Sequence, residues 1–225
     1  MKRSAFTMLE LIMVIVVLGI LAALAMPRIQ RDIRQEAADN ILSAIRYTQH
    51  LALTDNVKGN DGGRVAKFRD MWHRSFWRIG FQKCSDDGMF YYIGSDTDRE
   101  KNIDRNEEAL DPANGLRLNG QNTAACEQTI QRGSSPNIFI TKKYGISDGN
   151  IIYSGGCSAN AQHIAFDYLG RPHTGITASV KPDYSTVLQQ DCTLTFQFDD
   201  PAYASFMITI EKETGYAFIV GQMDS

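Results

Sequence analysis

The sequence predicts an α+β protein in which one long N-terminal helix, transmembrane in its first half and amphipathic in its second, packs on an antiparallel β-sheet domain. Three observations predict this class. An apolar run, "FTMLELIMVIVVLGILAALAM", occupies residues 6–26. Apolar residues then recur at helical spacing as far as Leu51. From residue 75 the pattern changes to short β-rich runs separated by turn residues.

The apolar run has the length of a single bilayer span, about 20 helical residues for a core of roughly 30 Å. Its one charged residue is Glu10. An ionised carboxylate in such a span costs on the order of 3 kcal/mol, which marks the residue as functional. Lys2 and Arg3 precede the run and favour an N-in orientation, although Arg28, Arg31 and Arg34 on the other flank weaken the asymmetry. Three readings fit these residues. One is an uncleaved signal anchor. Another is a secretory signal peptide cut after Ala23-Leu24-Ala25, against which both Glu10 and Pro27 argue. The third gives Glu10 a partner from outside the span, which itself contains no basic residue.

Beyond Pro27 the helix is expected to continue. Ile29, Ile33, Ala37, Ile41 and Ile45 recur every four residues, and Ala38, Leu42, Ala44, Tyr47 and Leu51 widen the stripe. Pro27 should kink the helix, because it removes one backbone hydrogen bond and its ring crowds the preceding turn. Asn56 and the run Gly59-Asn60-Asp61-Gly62-Gly63 supply the stop. The chain therefore divides into a helix (6–58, with 6–26 transmembrane and 27–58 amphipathic) and a β-rich globular domain (59–225).

In that domain "SFWRIGFQKC" and "MFYYIG" flank the turn Ser85-Asp86-Asp87-Gly88 and read as a hairpin. "NIIYSG", "QHIAFD", "CTLTFQF", "FMITIEK" and "YAFIV" are further strands, the last two joined through "ETG". Residues 95–136, rich in Asp, Asn and Gly, read as an insertion. The cysteines are Cys84, Cys126, Cys157 and Cys192, with no CxxC pair. An even number in an exported domain points to two disulfides, and four cysteines allow three pairings. Cys84 closes a hairpin strand beside the insertion that holds Cys126, while Cys157 and Cys192 flank the "QHIAFD" strand. That placement predicts Cys84–Cys126 and Cys157–Cys192.

The short basic leader, Ala5, and then Phe6, Thr7, Leu9, Glu10 and "VIVVLGILAALAMP" resemble the N-terminus of type IV prepilins and type II secretion pseudopilins. The resemblance implies that residues 1–5 are a leader peptide, with cleavage between Ala5 and Phe6 by a prepilin peptidase and N-methylation of Phe6. It also implies that Glu10 pairs with the N-terminal amine of a neighbouring subunit. The family usually has Gly before the cut, where this chain has Ala5. Implied with it are a lollipop shape, a single pass through the inner membrane with the globular domain in the periplasm, and later a periplasmic or surface filament. The implied partners are other pilin or pseudopilin subunits, the peptidase and an inner-membrane assembly platform. The ending "IAFDYLGRP…CTLTF…MITIEKETGYAFI" is similar to the sheet of H-type minor pseudopilins. The function so implied is that of a type II secretion pseudopilin or a minor type IV pilin. A DNA-binding competence minor pilin and a membrane-anchored exported binding domain are the alternatives.

Two further stretches carry candidate chemistry. In "DTDREKNIDRNE", Asp96, Asp98, Glu100, Asn102, Asp104 and Glu107 hold the first, third, fifth, seventh, ninth and twelfth places, the oxygen spacing of an EF-hand calcium loop. Lys101 occupies the sixth place, where that loop needs Gly for its sharp turn. A solvated acidic loop is the reading preferred, with structural calcium as the alternative cofactor. Between Lys58 and Arg78, six basic residues interleave with Phe68, Trp72, Phe76 and Trp77, a pattern that can hold single-stranded nucleic acid. A buried sheet edge with solvated arginines is the preferred reading. The net charge of −3 gives no global attraction to nucleic acid. No nucleotide loop, Ser/His/Asp set or histidine–metal motif stands out, and His50, His73, His163 and His173 are scattered. An enzyme is not expected.

Overall fold

The computed structural model of the chain describes residues 8–55, 72–120, 126, 133–157, 160–177 and 184–222, and for 22–31 the backbone alone. Helix α1, Met8–Thr54, is a single element of 47 residues that continues through position 27. Its second half buries Ala37, Ala38, Ile41, Leu42, Ala44, Ile45 and Ala52, the spacing of one face of a helix. Thr48, fully buried on that face, returns its hydroxyl to the Ala44 carbonyl at 2.8 Å, so this hydroxyl is not stranded in the core.

Two antiparallel sheets of four strands pack on this helix. The first has the order β2-β1-β4-β5, from β1 (Trp77–Lys83), β2 (Met89–Gly94), β4 (His163–Phe166) and β5 (Pro172–His173). The expected hairpin is β1–β2, registered from Arg78↔Gly94 to Lys83↔Met89. The second has the order β3-β6-β7-β8, from β3 (Ile151–Gly155), β6 (Cys192–Phe196), β7 (Phe206–Ile210) and β8 (Ala217–Ile219). A short helix α2, Ile140–Tyr144, ends on Gly145 at φ 73°, a left-handed cap that glycine takes without strain. Phe81 of β1 meets Phe196 of β6 edge-on at 5.5 Å, and Phe196 stacks on Phe206 at 5.0 Å, so one aromatic core serves both sheets.

Helix α1 also ties the sheets through polar groups. Gln49 Nε2 donates to the Gly170 carbonyl at 2.9 Å and to the Thr214 carbonyl at 2.8 Å, gripping the β4–β5 turn and the β7–β8 turn together. A Cβ at Gly215 would fall 2.3 Å from the Gly170 carbonyl oxygen, so only glycine permits this approach. Arg46 adds bonds from Nε and Nη2 to the Ala217 carbonyl at 3.1 and 2.8 Å.

Two expectations are corrected here. The strands form two sheets rather than one. Their alternation was readable, but the pairings β1–β4 and β3–β6 join segments far apart in sequence, which alternation does not specify. The transmembrane half at 6–26 is overturned, and with it the single-pass inner-membrane placement. Among the described residues no helix is long and apolar enough to cross a membrane. The apolar side chains described run from Met8 to Leu21, which spans only about 21 Å at helical rise and includes Glu10.

The disulfides join Cys84 to Cys126 and Cys157 to Cys192, the expected pairing. With sequence separations of 42 and 35, each restrains the unfolded chain by about 4 kcal/mol on the chain-entropy account. The insertion is ordered by side chains bonding to backbone rather than by periodic pattern. Asp111, for example, accepts from Ala113 N–H at 2.9 Å, Ser135 Oγ at 2.5 Å and Asn137 Nδ2 at 3.0 Å. Burial pushes the Asp111 carboxyl up, but these bonds together outweigh it and hold it below the usual carboxylate range.

Packing on α1 predicts a contrast within one helix. Ile45→Ala, fully buried, should destabilise the domain by about 2–5 kcal/mol. Val16→Ala, 54% exposed, should change it by less than about 0.5 kcal/mol. Denaturant unfolding followed through the domain tryptophans measures both.

Candidate functional site

Two features stand apart from the packed core: the first turns of α1 and the acidic loop after β2. Every described side chain from Met8 to Leu21 is exposed, the large apolar ones between 48% at Val14 and 84% at Met8. They are exposed on all faces of the helix, so this is an apolar arm and not one amphipathic side. Glu10 lies in its first turn. Ala5 and Phe6 lie outside the described residues. Pro27 lies within α1, in the part whose side chains are outside the description. Where the helix reaches the domain, Arg34 Nε donates to the Ala204 and Ser205 carbonyls, each at 3.2 Å.

The acidic loop begins where β2 ends. Asp96 is fully buried and Glu107 is 4% exposed, whereas Glu100, Asn102 and Asp104 are exposed. Carboxylate oxygens of Asp96, Asp98 and Glu107 lie within 4.8 Å of one another. The loop thus brings together three of the six residues that the sequence spacing singled out. Glu107 closes it from inside: Oε1 accepts from Thr97 N–H and Thr97 Oγ1 at 2.7 Å and from Asp98 N–H at 3.1 Å, while Oε2 accepts from Asp104 N–H at 2.9 Å. Asp96 Oδ2 accepts from Lys101 N–H at 2.7 Å, and Asp96 Oδ1 is buried with no hydrogen-bond partner among the described residues. Lys101 takes a φ of 84°, so the sharp turn normally left to glycine is made here at a non-glycine's cost. Burial, followed by the neighbouring Asp98 carboxyl, pushes the Asp96 carboxyl up to about 6, against the opposing effect of Lys101 N–H and the Arg78 charge.

Sequence reading missed the buried polar layer under this loop. Arg74 and Arg78 are 3% and 2% exposed, and their guanidinium groups hold the loop backbone through the Arg99 carbonyl at 3.0 Å and the Lys101 carbonyl at 2.9 Å. Ser95 Oγ donates to the Ser75 carbonyl at 2.7 Å. Beside them a cavity of about 550 Å³ is lined by Arg78, Tyr92, Lys101, Asn119 and His163. The signal was the period of β1, where Arg78, Gly80 and Gln82 share one face opposite Trp77, Ile79 and Phe81. The arginines at 74 and 78 are therefore not solvated, contrary to expectation. Trp72 packs edge-on against Phe76 at 5.4 Å and Tyr184 at 6.1 Å, and Phe76 is buried. The remainder of the basic stretch, 58–71, lies outside the described residues. Cys84, Cys126 and Asp86 also cluster, but both cysteines are consumed by their disulfide.

A second polar hub pins the β4–β5 turn. The buried Asp167 carboxylate accepts from Leu169 N–H and Arg171 N–H at 2.9 Å, and Arg171 Nη2 pairs with it at 2.7 Å. This accounts for the Asp, Gly and Arg of "FDYLGRP" as turn residues. Set against models of protein families, curated proteins and solved structures, the chain matches none of them.

The polar layer carries a pH dependence. Burial, and then the Arg78 charge, lower His163 to about 4, against its Nδ1–H bond to the Ala161 carbonyl. The unfolded chain takes up this proton first, near pH 6.5. The corresponding stability is therefore intact above pH 6.5 and lost as pH falls toward 4. Between pH 7 and 5 the parent should lose about 2 kcal/mol more than His163→Gln, which keeps an N–H donor and does not titrate. Denaturant midpoints at the two pH values measure this difference.

Proposed function

We propose that the chain is a subunit of a pilin-like filament, either a pseudopilin of a type II secretion system or a minor type IV pilin. The observation that carries this reading is the apolar arm, a helix exposed on every face that grows without interruption out of a packed and disulfide-linked domain. Apolar surface on this scale marks an interaction site, because leaving it in water is costly. A bundle of arms from several copies would cover it, with the domains arrayed outside. The resemblance of residues 5–27 to the prepilin N-terminus supports the same reading.

On this account the chain is cut before Phe6, and the new amine of one copy meets Glu10 of the next. Inside a bundle of apolar helices an unpaired carboxylate costs several kcal/mol, and the pairing removes that cost only at one axial stagger. Glu10 then sets register more than it adds affinity. The function is mechanical, since addition of subunits lengthens a filament that displaces cargo or starts a pilus.

Glu10→Val should leave the melting temperature of the domain unchanged, yet prevent recovery of the chain in filaments or in intersubunit crosslinks in the producing cell. Val16→Leu should assemble normally. Intact mass should give a mature chain that begins at N-methylated Phe6. Normal assembly of Glu10→Val, or a chain that begins at Met26, would contradict the proposal.

A further inference from the structure

We propose that the loop from Asp96 to Glu107 is a calcium site in which Asp96, Asp98 and Glu107 are the protein carboxylate ligands. This is independent of the filament reading, because it concerns the globular domain alone. The first support is distance. Oxygens bound to one Ca²⁺ at 2.3–2.6 Å stand no more than about 5 Å apart, and the three carboxylates already meet that limit at 4.8 Å. The second is the state of Asp96. Its Oδ2 is occupied by Lys101 N–H, but Oδ1 is buried with no partner among the described residues. A buried carboxylate oxygen left unpaired is costly, and a cation placed among these oxygens removes the cost.

The charge balance points the same way. Three carboxylates converge, and Arg78, whose Nη2 is committed to the Lys101 carbonyl, supplies one neighbouring positive charge. The ligand count also sets the class of ion and the strength of binding. Glu107 Oε1 already accepts three donors and Oε2 only one, so Oε2 is the oxygen with capacity for a metal. Three carboxylates completed by water or carbonyl oxygen form an irregular shell, which calcium accepts and magnesium, with its strict octahedron, does not. With Glu100, Asn102 and Asp104 exposed, the site is weaker than a full EF-hand. A Kd of about 0.1–1 mM, the range of extracellular calcium modules, is expected.

The test uses the full chain with its disulfides intact, held in a mild detergent. Calorimetric titration with CaCl₂ should show one site per chain. The melting temperature in 10 mM CaCl₂ should exceed that in chelator by roughly 3–10 °C, and 10 mM MgCl₂ should give little of this shift. Asp98→Asn, at a half-buried position where Asn keeps the Oδ1 acceptor for Glu100 N–H, should abolish most of the calcium increment. Asp96→Asn should also abolish it while raising the melting temperature in chelator, since it removes a buried charge. Superimposable melts in calcium and chelator with no binding heat, an equal response to magnesium, or an unchanged calcium increment in both variants would overturn the proposal.

Discussion

The structure depends on the burial of one stripe of α1, Ala37 to Ala52, against two sheets at once. Neither sheet alone covers that stripe, and the sheets meet each other through Phe81 and Phe196. Gln49 and Arg46 then fix the helix to backbone carbonyls of turns and strands from both sheets. A side-chain amide that satisfies two carbonyls in separate turns also sets their spacing, and the glycine approach between Gly170 and Gly215 follows from it. Helix, sheets and turns therefore form one cooperative unit.

The same constraint gives the arm its character. Because α1 is a single helix, its second half is held rigidly and its first half must project in continuation. The projecting part has apolar residues on all sides, where the packed part is amphipathic. The change in pattern along one helix separates the part that holds the domain from the part that the filament proposal gives to other chains. The acidic loop sits in the globular domain, at the end of β2, and its backbone is held from below by Arg74 and Arg78.

Much of this was legible in the sequence, and the reasons differ by element. The helix beyond residue 27 and the strands were readable because burial on one face leaves a period of 3.6 or 2. The cysteine pairing followed from neighbouring elements. The division into two sheets was not readable, since β1–β4 and β3–β6 contacts are set by tertiary packing. The membrane span was misread because apolarity and length describe an arm as well as a span. In the acidic loop, spacing found Asp96, Asp98 and Glu107 but also named three residues that face outward. Positions in a loop have no fixed period, and here Glu107 folds inward to cap Thr97, Asp98 and Asp104. Arg78 and His163 were read as surface or packing residues because single polar residues in strands usually face solvent. Their burial becomes visible only once the loop is seen to cover that face.

The central claim is that the arm of α1 meets other copies while its continuation holds the domain. Amide hydrogen exchange, compared between the dispersed and the assembled chain, tests it directly. The account predicts that amides from Met8 to Leu21 gain strong protection on assembly, while those from Ala37 to Ala52 are equally protected in both states. Protection gained only on the surface of the sheets, with the arm unchanged, would contradict it.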